Sequence, residues 1–306
     1  MAKQSTRMTK KIFFLLAWVA LAWQGAHAQN SENSPIVILQ DSLKTLGYTM
    51  YNSPAEQERL QANYTFVKTL VSALQTSHSY DFAFDSLDMV SRLRSPDDRF
   101  RIFTWHLPLN DGSYRYYGAI QLHTPDGSLQ LIPLLDRTYE IKEPETAVSS
   151  AETWYGAQYY RIIPCGGDYL LLGWKGHTPQ VTQKVVEVIS LSDNNLQLGK
   201  AIFNGGELTQ QARLIYRFSR QASMYMDYQA AQHRIVLDHL APADPRDSDN
   251  FAQYGPDMTY DAWSIKDGQL ILVPDIEFYN SPDGNESLYN DPMKPSTHPE
   301  SGFQAQ

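Results

Sequence analysis

The chain has 306 residues, of which 12% are aromatic and 19 are tyrosine, and its formal net charge is −9. This negative charge repels phosphate backbones and anionic lipid head groups, which argues against nucleic acid and anionic membranes as partners. The single cysteine, Cys165, excludes an intramolecular disulfide, and its place in a turn-forming Pro-Cys-Gly-Gly-Asp segment predicts an incidental thiol.

The first 28 residues have the three parts of a cleavable secretory signal. Ala26-His27-Ala28 supplies small residues at the two positions that a signal peptidase reads, after an apolar run at 12–23 and a basic start of Lys3, Arg7, Lys10 and Lys11. The apolar run is shorter than the roughly 20 residues that span a bilayer. We therefore expect export to the periplasm or the extracellular space. The mature chain would begin at Gln29, contain no transmembrane segment, and hold 21 basic and 34 acidic residues, a net charge of −13.

Two helices are predicted before the first strand. Residues 35–46 form a short helix that Gly47 ends. Ser53-Pro54-Ala55-Glu56 matches a capping box with proline at the first helical position, so a second helix is predicted over 54–75. Its apolar side chains recur at helical spacing and predict a face packed on the main sheet: Leu60, Tyr64, Val67, Leu70, Val71 and Leu74. A partner-binding helix is the alternative.

From Phe82 onward the pattern changes to short strands separated by turns. The first three, at 99–105, 114–122 and 129–135, form a predicted antiparallel meander because both connections have turn chemistry. Further strands are predicted at 154–163, 169–174, 183–191, 201–203, 213–220, 223–229, 234–237, 262–266 and 269–273.

A dozen strands in series without helices between them argue against a parallel α/β sheet. They predict a mainly β protein, an antiparallel meander in barrel, sandwich or propeller-like form, with an N-terminal helical segment. The predicted organisation is a signal peptide (1–28), the helical segment (29–80), a β-rich domain (81–279) and a tail (280–306) that we expect to be mobile.

Six short segments between residues 80 and 280 carry a family resemblance. They are 95–102 (SPDDRFRI), 154–157 (WYGA) with Tyr159 and Tyr160, 172–174 (LGW), 236–240 (VLDHL), 254–257 (YGPD) and 260–262 (YDA). In this order they resemble an uncharacterised family of secreted β-rich proteins found in Bacteroidota. The resemblance implies export and a β-rich fold. Because no activity is known for the family, it implies no catalytic residue.

Residues 238–261 are predicted to form an acidic loop, stiffened by prolines. Ca²⁺ takes six to eight oxygen ligands, which clustered Asp and Asn can supply. The candidate ligands are Asp244, Asp247, Asp249 and Asn250, and no cofactor other than Ca²⁺ is expected. The alternative is a solvated loop whose aspartates cap turns, since the segment lacks the glycine and distal glutamate of an EF-hand.

Asp238, His239 and Asp257 are the candidate acid–base residues, with a structural His–Asp contact as the alternative. Glycoside hydrolysis needs two facing carboxylates, for which the chain offers Glu187, Glu207, Asp227, Asp238, Asp257 and Glu277. Motifs of serine hydrolases, zinc proteases, kinases and dinucleotide-dependent oxidoreductases are missing from the sequence.

Two functions therefore stay open. The first is a secreted or periplasmic, non-catalytic β-rich protein that binds a ligand or partner in the cell envelope, with a glycan as one candidate. The abundant tyrosines and tryptophans support it, since their rings combine apolar faces with a polar tip. The alternative is a secreted hydrolase that acts on a glycan or ester through carboxylate and histidine acid–base chemistry.

Overall fold

The computed structural model describes residues 34–192 and 195–278. The predicted signal peptide (1–28), the predicted new N-terminus at Gln29 and the predicted tail (280–306) lie outside the described residues. Within them, helices α1 (Pro35–Asn52) and α2 (Glu56–Leu74) come first, and neither is long and apolar enough to cross a membrane.

Fifteen strands follow α2 within the described residues and pair into three sheets. Sheet 1 contains β1 (Ser91–Arg94), β2 (Phe100–Pro108), β3 (Tyr114–Leu122) and β4 (Gln130–Leu135) in that order. Sheet 2 contains β5 (Ser149–Ser150), β6 (Gln158–Cys165), β7 (Asp168–Gly176), β8 (Val181–Ser192), β9 (Asn195–Leu198) and β11 (Arg213–Ser219). Sheet 3 contains β10 (Phe203–Asn204), β12 (Met226–Gln229), β13 (Arg234–Pro242), β14 (Tyr254–Lys266) and β15 (Gln269–Val273).

Neighbouring strands in each sheet are consecutive in the chain except at β5, β10 and β11. Sheet 2 has the order β5-β9-β8-β7-β6 with β11 also paired to β8, and sheet 3 has the order β10-β15-β14-β13-β12. Every strand pair is antiparallel except β10 with β15. The prediction of a mainly β, antiparallel protein with an N-terminal helical segment is therefore confirmed.

The elements stack in four layers, helices, sheet 1, sheet 2 and sheet 3, with an apolar core at each junction. Phe66 and Leu70 of α2 pack with Phe103 and Trp105 of sheet 1. The other face of sheet 1 meets sheet 2 through Ile102, Ile120, Leu171 and Ile189. Sheet 2 meets sheet 3 through Leu172, Val186, Leu237 and Trp263.

Sheet 2 is therefore buried on both faces, which explains its sequence. Its central strands contain nearly continuous apolar runs, such as residues 169–172, because successive side chains enter two different cores.

The strand predictions missed β1, β5 and β9, which are short or polar and owe their conformation to pairing with longer neighbours.

Both helix boundaries differ from the prediction. Helix α1 continues through Gly47 to Asn52, and a Cβ at Gly47 would lie 2.6 Å from the Met89 Sδ atom, so this glycine permits a close approach within the helix. The predicted capping box is wrong, because α2 has Ala55 as N-cap without a side-chain bond. The Ser53 hydroxyl instead donates to Glu58 Oε2 at 2.6 Å.

The predicted packing of the second helix on the main sheet is confirmed, but the buried face is rotated. Leu70 and Leu74 are buried, whereas Tyr64 is 56% exposed. The buried face also includes Asn63, whose Oδ1 accepts a hydrogen bond of 2.8 Å from Trp105 Nε1. A polar residue thus belongs to the packed face because the sheet supplies a donor for it.

The acidic loop predicted over 238–261 is mostly a strand hairpin. Strands β13 and β14 continue into it, and only residues 243–253 connect them. A register shift between Asp238 and Leu240 accommodates the irregular sequence. Pro256 pairs with Leu240 of β13. On its other side no described strand of sheet 3 is present, because β15 pairs with β14 only from Ala262 onward. The missing N–H of this proline faces that open side.

Candidate functional site

A cavity lined by tyrosines opens beside strands β3 and β4. Its volume is about 690 Å³. Two segments supply most of the lining: residues 113–117, which enter β3, and residues 134–140, which leave β4 and form a short 3₁₀ helix (Thr138–Glu140). We call it the tyrosine cleft; its aromatic side chains are Tyr114, Tyr116, Tyr117 and Tyr139.

The four tyrosines have different roles in the cleft. Tyr116 is buried and its hydroxyl donates to the Gly176 carbonyl at 3.2 Å, so it forms part of the cleft floor. Tyr117 stacks on Trp105 with ring centroids 5.7 Å apart, and Tyr114 makes an edge contact with Trp174 at 5.4 Å. Tyr139 is 80% exposed and stands at the rim. Three rings are thus held by packing, and one is free to meet a ligand.

Asp136 organises the far side of the cleft. Its Oδ2 accepts the backbone N–H of Tyr116 at 3.1 Å, and its Oδ1 accepts the N–H and the hydroxyl of Thr138. This carboxylate therefore links β3 to the start of the 3₁₀ helix. Both carboxylate oxygens of Asp136 are thus used in hydrogen bonds to Tyr116 and Thr138, and these bonds orient the lining.

Other charged side chains offer hydrogen-bonding groups at the cleft. Arg137 Nη1 pairs with Glu140 Oε1 at 2.8 Å, and Asp111 accepts bonds from the N–H and hydroxyl of Ser113. Among the residues that the structure describes, no carboxylate pairs with Arg115. Burial raises the pKa of Tyr117, and the neighbouring Arg115 opposes this change. Arg115, which hydrogen-bonds the side chain of Tyr117, therefore still has N–H donors for a ligand.

A buried lysine lies behind the cleft floor. Lys175 is 2% exposed, and its Nζ donates to Thr138 Oγ1 at 2.9 Å and to the Gly156 carbonyl. The rings of Tyr116 and Tyr155 lie over the ammonium group, each with its centroid 4.5 Å away. Burial lowers the pKa of Lys175 to about 8, although Asp136 acts in the opposite direction. Lys175 thus holds the 3₁₀ helix of the cleft from behind.

The three predicted acid–base residues lie on β13 and β14 of sheet 3, where His239 and Asp257 are in direct contact and Asp238 is not bonded to either. His239 Nδ1 lies 2.8 Å from Asp257 Oδ2, and both side chains are partly exposed. Asp238 accepts the Tyr225 N–H at 2.7 Å. Burial raises the pKa of Asp238, and nearby Asp257 adds to the increase. Burial by itself would raise the pKa of Asp257, but hydrogen bonds from Thr259 and His239 outweigh this effect, and the pKa is lowered.

The predicted calcium ligands lie in the connection between β13 and β14. The Asp244 carboxylate is paired with Arg246, with Oδ2 and Nη2 2.6 Å apart. In residues 34–192 and 195–278, no three His, Cys, Asp or Glu side chains are placed to hold a metal ion. Asp247, Asp249 and Asn250 lie beside Asp244 in sequence, and calcium binding by the four stays a prediction.

The remaining predicted carboxylates lie apart from the tyrosine cleft. Glu187 is buried against Arg213, and Asp227 pairs with Arg161 at 2.7 Å. Glu277 is exposed, and the side chain of Glu207 is outside the described part of the structure. Burial also raises the pKa of Cys165 to about 11, which suits an unreactive thiol.

The sequence analysis did not identify the tyrosine cleft. A signal was present in two short segments, Tyr-Arg-Tyr-Tyr at 114–117 and Asp-Arg-Thr-Tyr-Glu at 136–140, each rich in tyrosine and charge. Their pairing across sheet 1, with Tyr117 opposite Leu135, places them side by side. A scan against protein-family models and searches of curated proteins and of solved structures found no match to this chain, so its function is argued from this geometry.

Proposed function

We propose that the protein is exported and binds a glycan of the cell envelope in the tyrosine cleft, without chemical change to the ligand. The observation that supports this most directly is the lining, four tyrosines and several charged side chains around one cavity of about 690 Å³. That volume is within the roughly 300–1,000 Å³ of small-molecule sites.

The lining matches the surface of a sugar ring. A pyranose has apolar C–H faces and a rim of hydroxyl groups. Tyr139 offers a ring face at the rim, while Arg115, Arg137 and Glu140 offer donors and acceptors for hydroxyls. Lys175 and Asp136 hold the lining before a ligand arrives, and such preorganisation lowers the entropic cost of binding.

The test is calorimetric titration of the exported, purified protein with cello-, xylo-, manno- and chito-oligosaccharides. We expect one class to bind, and Tyr139→Ala to weaken it about tenfold or more, since an aromatic anchor is removed. The control is Tyr48→Ala, which removes a 67% exposed tyrosine from α1, away from the cleft. Failure of all four classes to bind, or equal binding by the wild type and Tyr139→Ala, would contradict the proposal.

Hydrolysis at sheet 3 is the second candidate function, and it is supported by the 2.8 Å contact between His239 and Asp257. That contact leaves Nε2 of His239 to exchange a proton with a substrate. The assay uses nitrophenyl esters and nitrophenyl glycosides. Turnover that is lost in His239→Ala and kept in His233→Ala, the control in the turn between β12 and β13, would replace the binding proposal by this one.

A further inference from the structure

A second cavity borders the tyrosine cleft. Its volume is about 560 Å³, and it lies between the end of β11 and the β13–β14 hairpin. Its polar and aromatic lining includes Arg220, Gln180, Gln253, Tyr254 and Asp257. The Tyr254 hydroxyl donates to the Ser248 carbonyl, and this bond fixes the position of the ring.

One arginine forms the wall between the two cavities. Arg220 Nη1 donates to the carbonyls of Gly112 at 2.7 Å and Thr178 at 3.2 Å, and Nη2 donates to the Tyr114 hydroxyl. Tyr114 lines the tyrosine cleft, and Arg220 lines the second cavity. Because the two side chains are directly bonded, the cavities are neighbours across a single layer of side chains.

The backbone at this wall is also close-packed. Gly112 has a φ of +82°, and a Cβ there would lie 3.1 Å from Pro179 Cγ, in the lining of the second cavity. Glycine is suited to such a left-handed turn beside a packed neighbour. The turn between β2 and β3 therefore approaches the second cavity without filling it.

Arg220 is exposed and forms no ion pair among the described residues. Its hydrogen-bond partners are two carbonyls and one hydroxyl. Its guanidinium carbon lies 5.1 Å from the centroid of the Tyr114 ring. A cation stacked on an aromatic ring and placed between two polar cavities is suited to bind the hydroxyl or carboxylate oxygens of a ligand that crosses it.

We propose that the two cavities are consecutive subsites for one linear oligosaccharide, which crosses Arg220 and ends beside Tyr254. This inference rests on the proposed glycan function and adds the length of the ligand to it. Each cavity by itself has the volume of a ligand site. Occupying the second subsite becomes intramolecular once the first is filled, so a longer chain binds more tightly.

The test is calorimetric titration with the dimer, tetramer and hexamer of the cello-, xylo-, manno- and chito-oligosaccharide series. We expect the hexamer of the binding class to bind about tenfold more tightly than the dimer. Tyr254→Ala and, independently, Gln253→Ala should reduce the affinity for the hexamer and leave that for the dimer unchanged, whereas Tyr139→Ala should weaken both. Tyr225→Ala, directly before β12 and outside both cavities, is the control, and thermal melting checks that each variant is folded.

The two proposals fail in different ways. Equal affinity for dimer and hexamer, or full hexamer affinity in folded Tyr254→Ala and Gln253→Ala, would overturn the two-subsite inference and leave glycan binding in the tyrosine cleft intact. Absence of binding at every length would overturn the proposed function itself.

Discussion

Glu187 and Arg213 lie directly opposite each other on β8 and β11, with Glu187 Oε2 2.7 Å from Arg213 Nε. Neither side chain is exposed, so this ion pair lies in the middle layer of the protein. Arg213 also donates to the carbonyl of Ala147 and the hydroxyl of Ser149, both at 3.3 Å. The pair therefore connects sheet 2 to the segment that enters β5.

Removing one member of this pair should be strongly destabilising. We expect Glu187→Ala to lower the free energy of unfolding by about 3–5 kcal/mol, because it leaves a buried cation without its acid partner. Arg161→Ala is the matched control, since it breaks the partly exposed pair with Asp227 and should cost less than about 1 kcal/mol. Urea titration measures both, and similar losses would show that burial of the Glu187 pair has no special effect.

Lys175 should make the free energy of unfolding depend on pH in the alkaline range. Its pKa of about 8 is below the ordinary 10.5, so between these values the unfolded chain binds more protons than the native protein. The contribution of Lys175 to stability therefore rises with pH over this window, by about 3 kcal/mol in total. The physical cause is burial, which penalises the charged amine in the native state only.

The measurement is urea unfolding of wild type and Lys175→Met from neutral pH to pH ~10. We expect the difference between the two free energies of unfolding to move in favour of the wild type as pH rises. Lys200→Met is the control, because that lysine is partly exposed in an ion pair with Asp168. A pH-independent difference for Lys175→Met would mean that this lysine keeps its ordinary pKa.

The buried face of α2 should be sensitive to truncation and its outer face should not. Leu70 is buried in the core between the helices and sheet 1, so Leu70→Ala should cost about 2–5 kcal/mol. Tyr64→Ala, on the exposed side of the same helix, should change the stability by about 0.5 kcal/mol or less. A loss below about 0.5 kcal/mol for Leu70→Ala would show that this face is not packed as described.

Export should produce a chain that begins at Gln29. The expectation comes from the basic start, the apolar run and the Ala26-His27-Ala28 pattern. Intact-mass analysis of protein recovered from the periplasm or medium measures the cleavage site. Ala28→Asp should block processing, because the peptidase reads a small residue there, and a wild-type mass that retains residues 1–28 would reject the prediction.

The sequence by itself determined features that depend on neighbouring residues. Alternating residues and turn chemistry predicted β3 over Tyr114–Leu122 and β15 over Gln269–Val273, and both predictions are confirmed with the same boundaries. The helical segment followed from apolar spacing. These signals are local, because a turn, a strand face or a helix face is set by residues a few positions apart.

Only the tertiary structure decided which residues meet. Gly47 suits a helix end, yet it lies inside α1, where the missing Cβ leaves room for Met89. Tyr114 and Arg220 are distant in sequence, and their contact depends on how sheet 1 and β11 are placed together. The physical reason is that sheet pairing and layer stacking join segments far apart in the chain, and the energy of those contacts overrides the weaker local preferences of the residues involved.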